Sequence, residues 1–125
     1  MNDEGQRQDL RTRTKEFALR VVRLYTKLPK TGEAQVIGKQ LLRSGTSVGA
    51  HYREGFRARS TAEFISKLGG GQQELEESIY WMELLIEAEI VAENLLSNLQ
   101  SEAEELMAIF ASCIITAKRS KRSTS

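Results

Sequence analysis

Apolar residues recur every three or four positions along most of the chain, and Pro29 is the one proline that interrupts them. That interval marks one face of an α-helix rather than a half-buried strand. Leu10, Phe17, Val21, Leu24 and Leu28 form a first line, widened by Ala18, Val22 and Tyr25. Pro29 and Thr31-Gly32 end it, because proline's ring and missing N–H exclude a helix interior. Ile37, Leu41, Gly45, Val48, Tyr52 and Phe56 form a second line. Phe64, Leu68, Gly71, Leu75, Ile79, Met82 and Ile86 form a third. Leu99, Ala103, Leu106, Phe110, Cys113 and Ala117 form a fourth. Four amphipathic helices joined by a few residues each predict an all-α, antiparallel up-and-down four-helix bundle. The expected helices span about 9–28, 34–58, 61–88 and 95–117, in a single domain over 1–119 with a basic flexible tail at 120–125. Ser60 and Glu63 have the spacing of a capping box at the third helix.

Two glycine-rich stretches test this pattern. Ser44-Gly45-Thr46-Ser47-Val48-Gly49-Ala50 has poor helix propensity, yet the apolar line passes through Gly45 in phase, which a loop has no reason to preserve. The line also keeps phase across Gly69-Gly70-Gly71, from Leu68 to Leu75. Both stretches are therefore expected inside continuous helices. Small residues in the first admit a close neighbour, and the triplet is the weakest turn of its helix, with room for a kink.

The 125 residues carry one cysteine and one histidine, so neither a disulfide framework nor a Cys-based zinc site is available, and a reducing, cytoplasmic setting fits. No apolar run approaches the roughly 20 residues of a membrane span. His51 and Glu54 lie one turn apart, but a di-metal bundle site needs two Glu-x-x-His motifs and further carboxylates. Cys113 falls on an apolar line with no histidine near it, and the glycine triplet lacks the Lys-Ser/Thr of a phosphate loop. No catalytic residues, cofactor, metal or small-molecule substrate are indicated, and an enzyme is not expected.

A net charge of +1 conceals a division. Residues 1–59 hold thirteen Lys/Arg against six acids, a balance of +7; residues 60–117 balance at −10, and 118–125 at +4. Lys39, Arg43, Thr46, Ala50, Arg53 and Arg57 fall within about 80° on the second helix, opposite its apolar line. Arg13, Arg20, Arg23 and Lys27 gather on one flank of the first. If these faces merge, an arginine-rich patch for nucleic acid results, with Arg20, Arg23, Lys27, Lys39, Arg43, Arg53 and Arg57 on phosphates. The rival is a structural or protein-interaction role, in which the same arginines meet Glu74, Glu77 or Glu105 across a subunit boundary. Around Ile79–Ile86 the third helix is apolar nearly all round. Its surplus side chains Trp81, Leu84 and Leu85 predict a homo-oligomer interface.

Leu41-Leu42-Arg43-Ser44-Gly45-Thr46-Ser47-Val48-Gly49-Ala50, followed by Tyr52-Arg53-Glu54, resembles the signature of the four-helix bundle proteins encoded in 23S rRNA intervening sequences. Phe17-Ala18, Leu28-Pro29, Arg57-Ala58-Arg59-Ser60, Glu63-Phe64-Ile65-Ser66-Lys67-Leu68-Gly69 and Tyr80-Trp81-Met82-Glu83-Leu84-Leu85 extend the resemblance over about 15–119. It implies a left-handed bundle assembled as a homopentamer in the bacterial cytoplasm, without established biochemical activity. A related group serves as the accessory factor of diversity-generating retroelements, where a basic pentamer binds a reverse transcriptase and nucleic acid. This chain departs from the family pattern at His51, where Asn is usual, at Gly55, where Ala is usual, and in the extra glycine of 69–71.

Overall fold

The computed structural model describes residues 3–124, and the side chains of residue 5 and residues 9–120. It holds four helices: α1 (Asp3–Lys27), α2 (Gly32–Phe56), α3 (Thr61–Glu87) and α4 (Glu93–Thr124). Each packs on its neighbour in sequence, while α1 and α4 meet along a thinner seam. This is the up-and-down bundle that the apolar spacing predicts. Both glycine stretches lie inside helices, Gly45 and Gly49 in α2 and the triplet in α3.

The turns follow from local chemistry. Beyond Pro29, the Tyr25 hydroxyl donates to Gln35 Oε1 (3.1 Å) while Gln35 Nε2 donates to the Pro29 carbonyl (2.8 Å), fixing the α1–α2 corner. Ser60 caps α3 by accepting from the Glu63 N–H at 3.1 Å. The reciprocal half of the capping box is displaced by one residue, since the Glu63 carboxylate accepts from the Arg59 N–H at 3.5 Å. α3 ends in a Schellman motif: Glu89 N–H bonds the Ile86 carbonyl and Ile90 N–H the Leu85 carbonyl, both at 2.9 Å. Glu89 holds the left-handed conformation (φ 59°) that glycine usually takes in this motif.

The core includes Leu10, Phe17, Val21, Leu41, Val48, Tyr52, Leu68, Leu75, Met82, Leu106 and Phe110. On α3 its line runs through Ser78 and Leu85, with Ile79 and Ile86 at its edges. Ser78 is tolerated inside because its hydroxyl bonds the Glu74 carbonyl and Ser44 Oγ, both at 2.8 Å, which satisfies two buried hydroxyls across the α2–α3 contact. Glycines set the α1–α2 distance. A Cβ on Gly45 would lie 2.8 Å from a Val21 methyl, and one on Gly49 would lie 3.1 Å from Thr14 Oγ1. Phe56, expected inside, is 37% exposed.

At the far end the structure departs from the sequence expectation. α4 continues through Lys118 and Arg119 to Thr124 instead of yielding to a tail after 119. Residues 117–122, Ala-Lys-Arg-Ser-Lys-Arg, contain no breaker, and cations at a helix C-terminus are favoured by its dipole.

Candidate nucleic-acid interface

Lys39, Arg43, Arg53 and Arg57 all reach solvent on the outer face of α2, as their phase requires. They differ in what they touch. The Arg43 guanidinium lies between two α3 carboxylates, with Nη1 3.3 Å from Glu74 Oε1 and Nη2 on Glu77 Oε1. Its hydrogen bond to Glu77 raises the Arg43 pKa and, reciprocally, holds the Glu77 carboxyl below the ordinary carboxylate range, with a smaller opposing push from burial. Lys39, Arg53 and Arg57 form no ion pair among the described residues.

On α1, Arg13 points across the seam to α4. Its Nη2 lies 2.7 Å from Glu102 Oε1 and 3.0 Å from Glu105 Oε1, contacts that raise its pKa. Arg20, Arg23 and Lys27 lie within about 80° of Arg13 on the helix, so they occupy the α4 side or the outer surface of α1. The α2 side is marked instead by the contacts of Thr14 with Gly49 and of Val21 with Gly45. The two basic faces therefore do not merge as the sequence reading expected. The α1 cations that flank α2 are Arg11 and Lys15, about 60° and 100° beyond Thr14 and on the same side of the bundle as Arg53. Gly45 and Gly49, read as the α1-facing edge of α2, are the sequence signal that would have found them.

The acids offered as cross-subunit partners, Glu74, Glu77 and Glu105, are engaged within the chain by Arg43 and Arg13. Leu85, expected at a subunit contact, is fully buried in the chain's own core. It sits three residues after Met82, on the inward line that continues from Ser78. Trp81 and Leu84 remain half-buried on the α2 side of α3, and Trp81 Nε1 donates to Glu77 Oε1 at 3.2 Å. Tyr80, 51% exposed, stands edge-on to Trp81 at 4.9 Å.

His51 packs over Gly70, where a Cβ would lie 2.9 Å from the imidazole. Its Nδ1 is 3.5 Å from Glu54 Oε1 and its Nε2 3.8 Å from Glu74 Oε2. Among the described residues no group of three His, Cys, Asp or Glu is placed to hold a metal ion, and no helix is long and apolar enough to cross a membrane. Cys113 is half-buried, and burial pushes its thiol pKa up, which slows thiolate chemistry.

The model of the 23S rRNA-intervening sequence protein family matches residues 6–112. The chain belongs to this family. A crystal structure of a protein of unknown function from the S23 ribosomal protein family of Bacteroides thetaiotaomicron is 38% identical, with a TM-score of 0.79 over 84% of this chain and 97% of that one. No curated protein matches the chain. The solved neighbour shares the fold described above, and neither name describes an enzyme.

Proposed function

We propose that this family member is a non-enzymatic homo-oligomer of the bacterial cytoplasm that binds RNA through the outer face of α2. The observation that carries the proposal is the row Lys39, Arg53 and Arg57, exposed and free of ion pairs among the described residues. Lys39 and Arg57 are 18 residues apart, about 27 Å along the helix, enough to follow several phosphates. Arg11 and Lys15 widen the row from α1. Without a groove-reading motif, binding should depend on backbone charge more than on sequence. Tyr80, Trp81 and Leu84 support self-association, because half-exposed aromatic and aliphatic side chains on one helix are what a second chain covers.

One experiment tests binding and assembly together. Fluorescence anisotropy of a labelled structured RNA is measured across a salt series, beside light scattering of the same samples. Each phosphate contact adds roughly 0.7–0.9 to the slope of log affinity against log salt. R53E/R57E should weaken binding to unrelated RNAs alike and flatten the slope by about two contacts' worth, leaving particle mass unchanged. R43Q, which removes an arginine already held by two carboxylates, should flatten it by less than one. An oligomer that binds no RNA at low salt would refute the nucleic-acid reading, and loss of mass in R53E/R57E would favour the arginines as subunit contacts.

A further inference from the structure

The cationic row on α2 leads to a cavity. Arg57 ends the row, and the next residues, Ala58-Arg59-Ser60, form the rim of an open cavity of about 500 Å³ at this end of the bundle. Its volume lies within the roughly 300–1,000 Å³ of small-molecule sites. The wall from α2 and α3 carries three rings, Tyr52, Phe56 and Phe64, with Tyr52 and Phe56 centred 6.1 Å apart. Phe56 is the one whose exposure contradicts its core phase. The facing wall from α4 carries hydroxyls at intervals of one turn, Ser112 and Thr116, beside the thiol of Cys113. Arg59 stands exposed at the rim, with Lys118 and Arg119 on the α4 turn between the lining residues Ala117 and Ser120.

We propose that this cavity receives an unpaired base of the RNA held on α2, with the base against Phe56 and Phe64 over the buried Tyr52, its polar edge toward the α4 hydroxyls and its phosphate at Arg59. The inference rests on the nucleic-acid reading and adds that the bound strand presents a single-stranded nucleotide. The chemistry favours a base over a lipid chain, because one wall is aromatic and the other is a row of hydroxyls. A flat heteroaromatic can stack on the rings and hydrogen-bond to the exposed Ser112 and Thr116 hydroxyls, whereas an alkyl chain uses only the rings. Continuity adds to this, since Arg59 at the cavity rim follows Arg57 by two residues.

Cys113 is the chain's single cysteine and lines the cavity, so its alkylation reports occupancy. The wild-type protein is treated with N-ethylmaleimide alone, with a single-stranded oligonucleotide and with a blunt duplex of equal length, while anisotropy monitors binding. The single strand should slow alkylation at least fivefold and the duplex should not. T116W, which fills the cavity from an exposed α4 position, should abolish the protection and lower single-strand affinity roughly tenfold, the worth of one base–aromatic stack. It should leave the contribution of Arg53 and Arg57 to the salt slope intact. Should T116W fail to fold by circular dichroism, F56L removes a stacking ring while keeping an apolar side chain, and should lower single-strand affinity alone. RNA bound with no change in Cys113 alkylation overturns the cavity proposal and leaves the α2 interface standing. Equal protection by single strand and duplex also overturns it. Absence of any RNA binding overturns both.

Discussion

Alanine should stabilise the protein at Gly69 but not at Gly71, the two ends of the glycine triplet. A Cβ on Gly69 meets nothing within 4 Å, so Gly69→Ala adds helix propensity without a steric cost. The gain is about 0.8–1.0 kcal/mol. At Gly71 the same Cβ lies 2.5 Å from Phe110 Cε2 and 3.1 Å from Cδ2. Phe110 is fully buried, with Tyr52 at 5.9 Å, so its ring has nowhere to retreat. Overpacking of this kind costs about 1–3 kcal/mol, against which the propensity gain of about 1 kcal/mol is insufficient or barely sufficient. Gly71→Ala should therefore be neutral to destabilising by up to about 2 kcal/mol. In thermal unfolding followed by circular dichroism, Gly69→Ala should raise Tm by about 3–5 °C and Gly71→Ala should leave it unchanged or lower it. Urea titration should give the same order in the midpoint with an unchanged slope. All samples need one protein concentration, since assembly would shift both values by mass action. Equal stabilisation by both substitutions would refute the argument that Gly71 is retained for the approach of Phe110.

Glu89→Gly relieves a left-handed residue in the α3 Schellman motif and should stabilise by about 1 kcal/mol in the same assays; a loss would mean that the Glu89 side chain contributes more than its backbone costs. The lowered Glu77 pKa makes the Arg43–Glu77 pair a stabiliser that is present above the ordinary glutamate range near about 4.3 and lost as pH falls through the depressed folded value. Because both side chains are substantially exposed, R43Q should cost at most about 1 kcal/mol at pH 7, and the difference in urea midpoint from wild type should shrink as pH falls below the ordinary glutamate range. Trp81→Glu adds a carboxylate beside Glu77 on the proposed subunit contact, and light scattering should show the assembly dissociating; an unchanged mass would move the contact elsewhere.

The helices were legible because their information is local and repeated: each apolar line runs in phase for several turns, and Pro29 and Ser60 punctuate it with known chemistry. Gly45 shows how far this extends, since phase outweighed propensity and the helix is continuous. What periodicity could not resolve was which of two neighbouring candidates faces inward. On α3 the intervals 75–78–82–85 and 75–79–82–86 are equally helical, and the choice fell to tertiary partners: Ser44 for Ser78, and the core end for Leu85. α4's extension was missed for a related reason. The apolar line ends near Ala117, but a helix needs no buried face to continue for another turn or two when nothing in the sequence breaks it.

The basic patch was legible only in part, because a count of charges cannot distinguish a cation with a partner from one without. Thirteen Lys/Arg in residues 1–59 count Arg13 and Arg43 as free surface charge, although folding pairs both with carboxylates. Arg43 is shared by Glu74 and Glu77, and Arg13 by Glu102 and Glu105. A phosphate approaching either arginine must displace carboxylates that already hold it, so the net gain from such a contact is small. Lys39, Arg53 and Arg57 have no such competition among the described residues, and their hydrated side chains can exchange counterions for phosphates at full value. The flank of α1 is divided from them by helix phase, because Arg20 shares the side of Arg13 and faces the seam with α4. What distinguishes the candidate interface is thus the set of cations that folding leaves unpaired on one side of the bundle, ending at Arg57 beside the aromatic cavity.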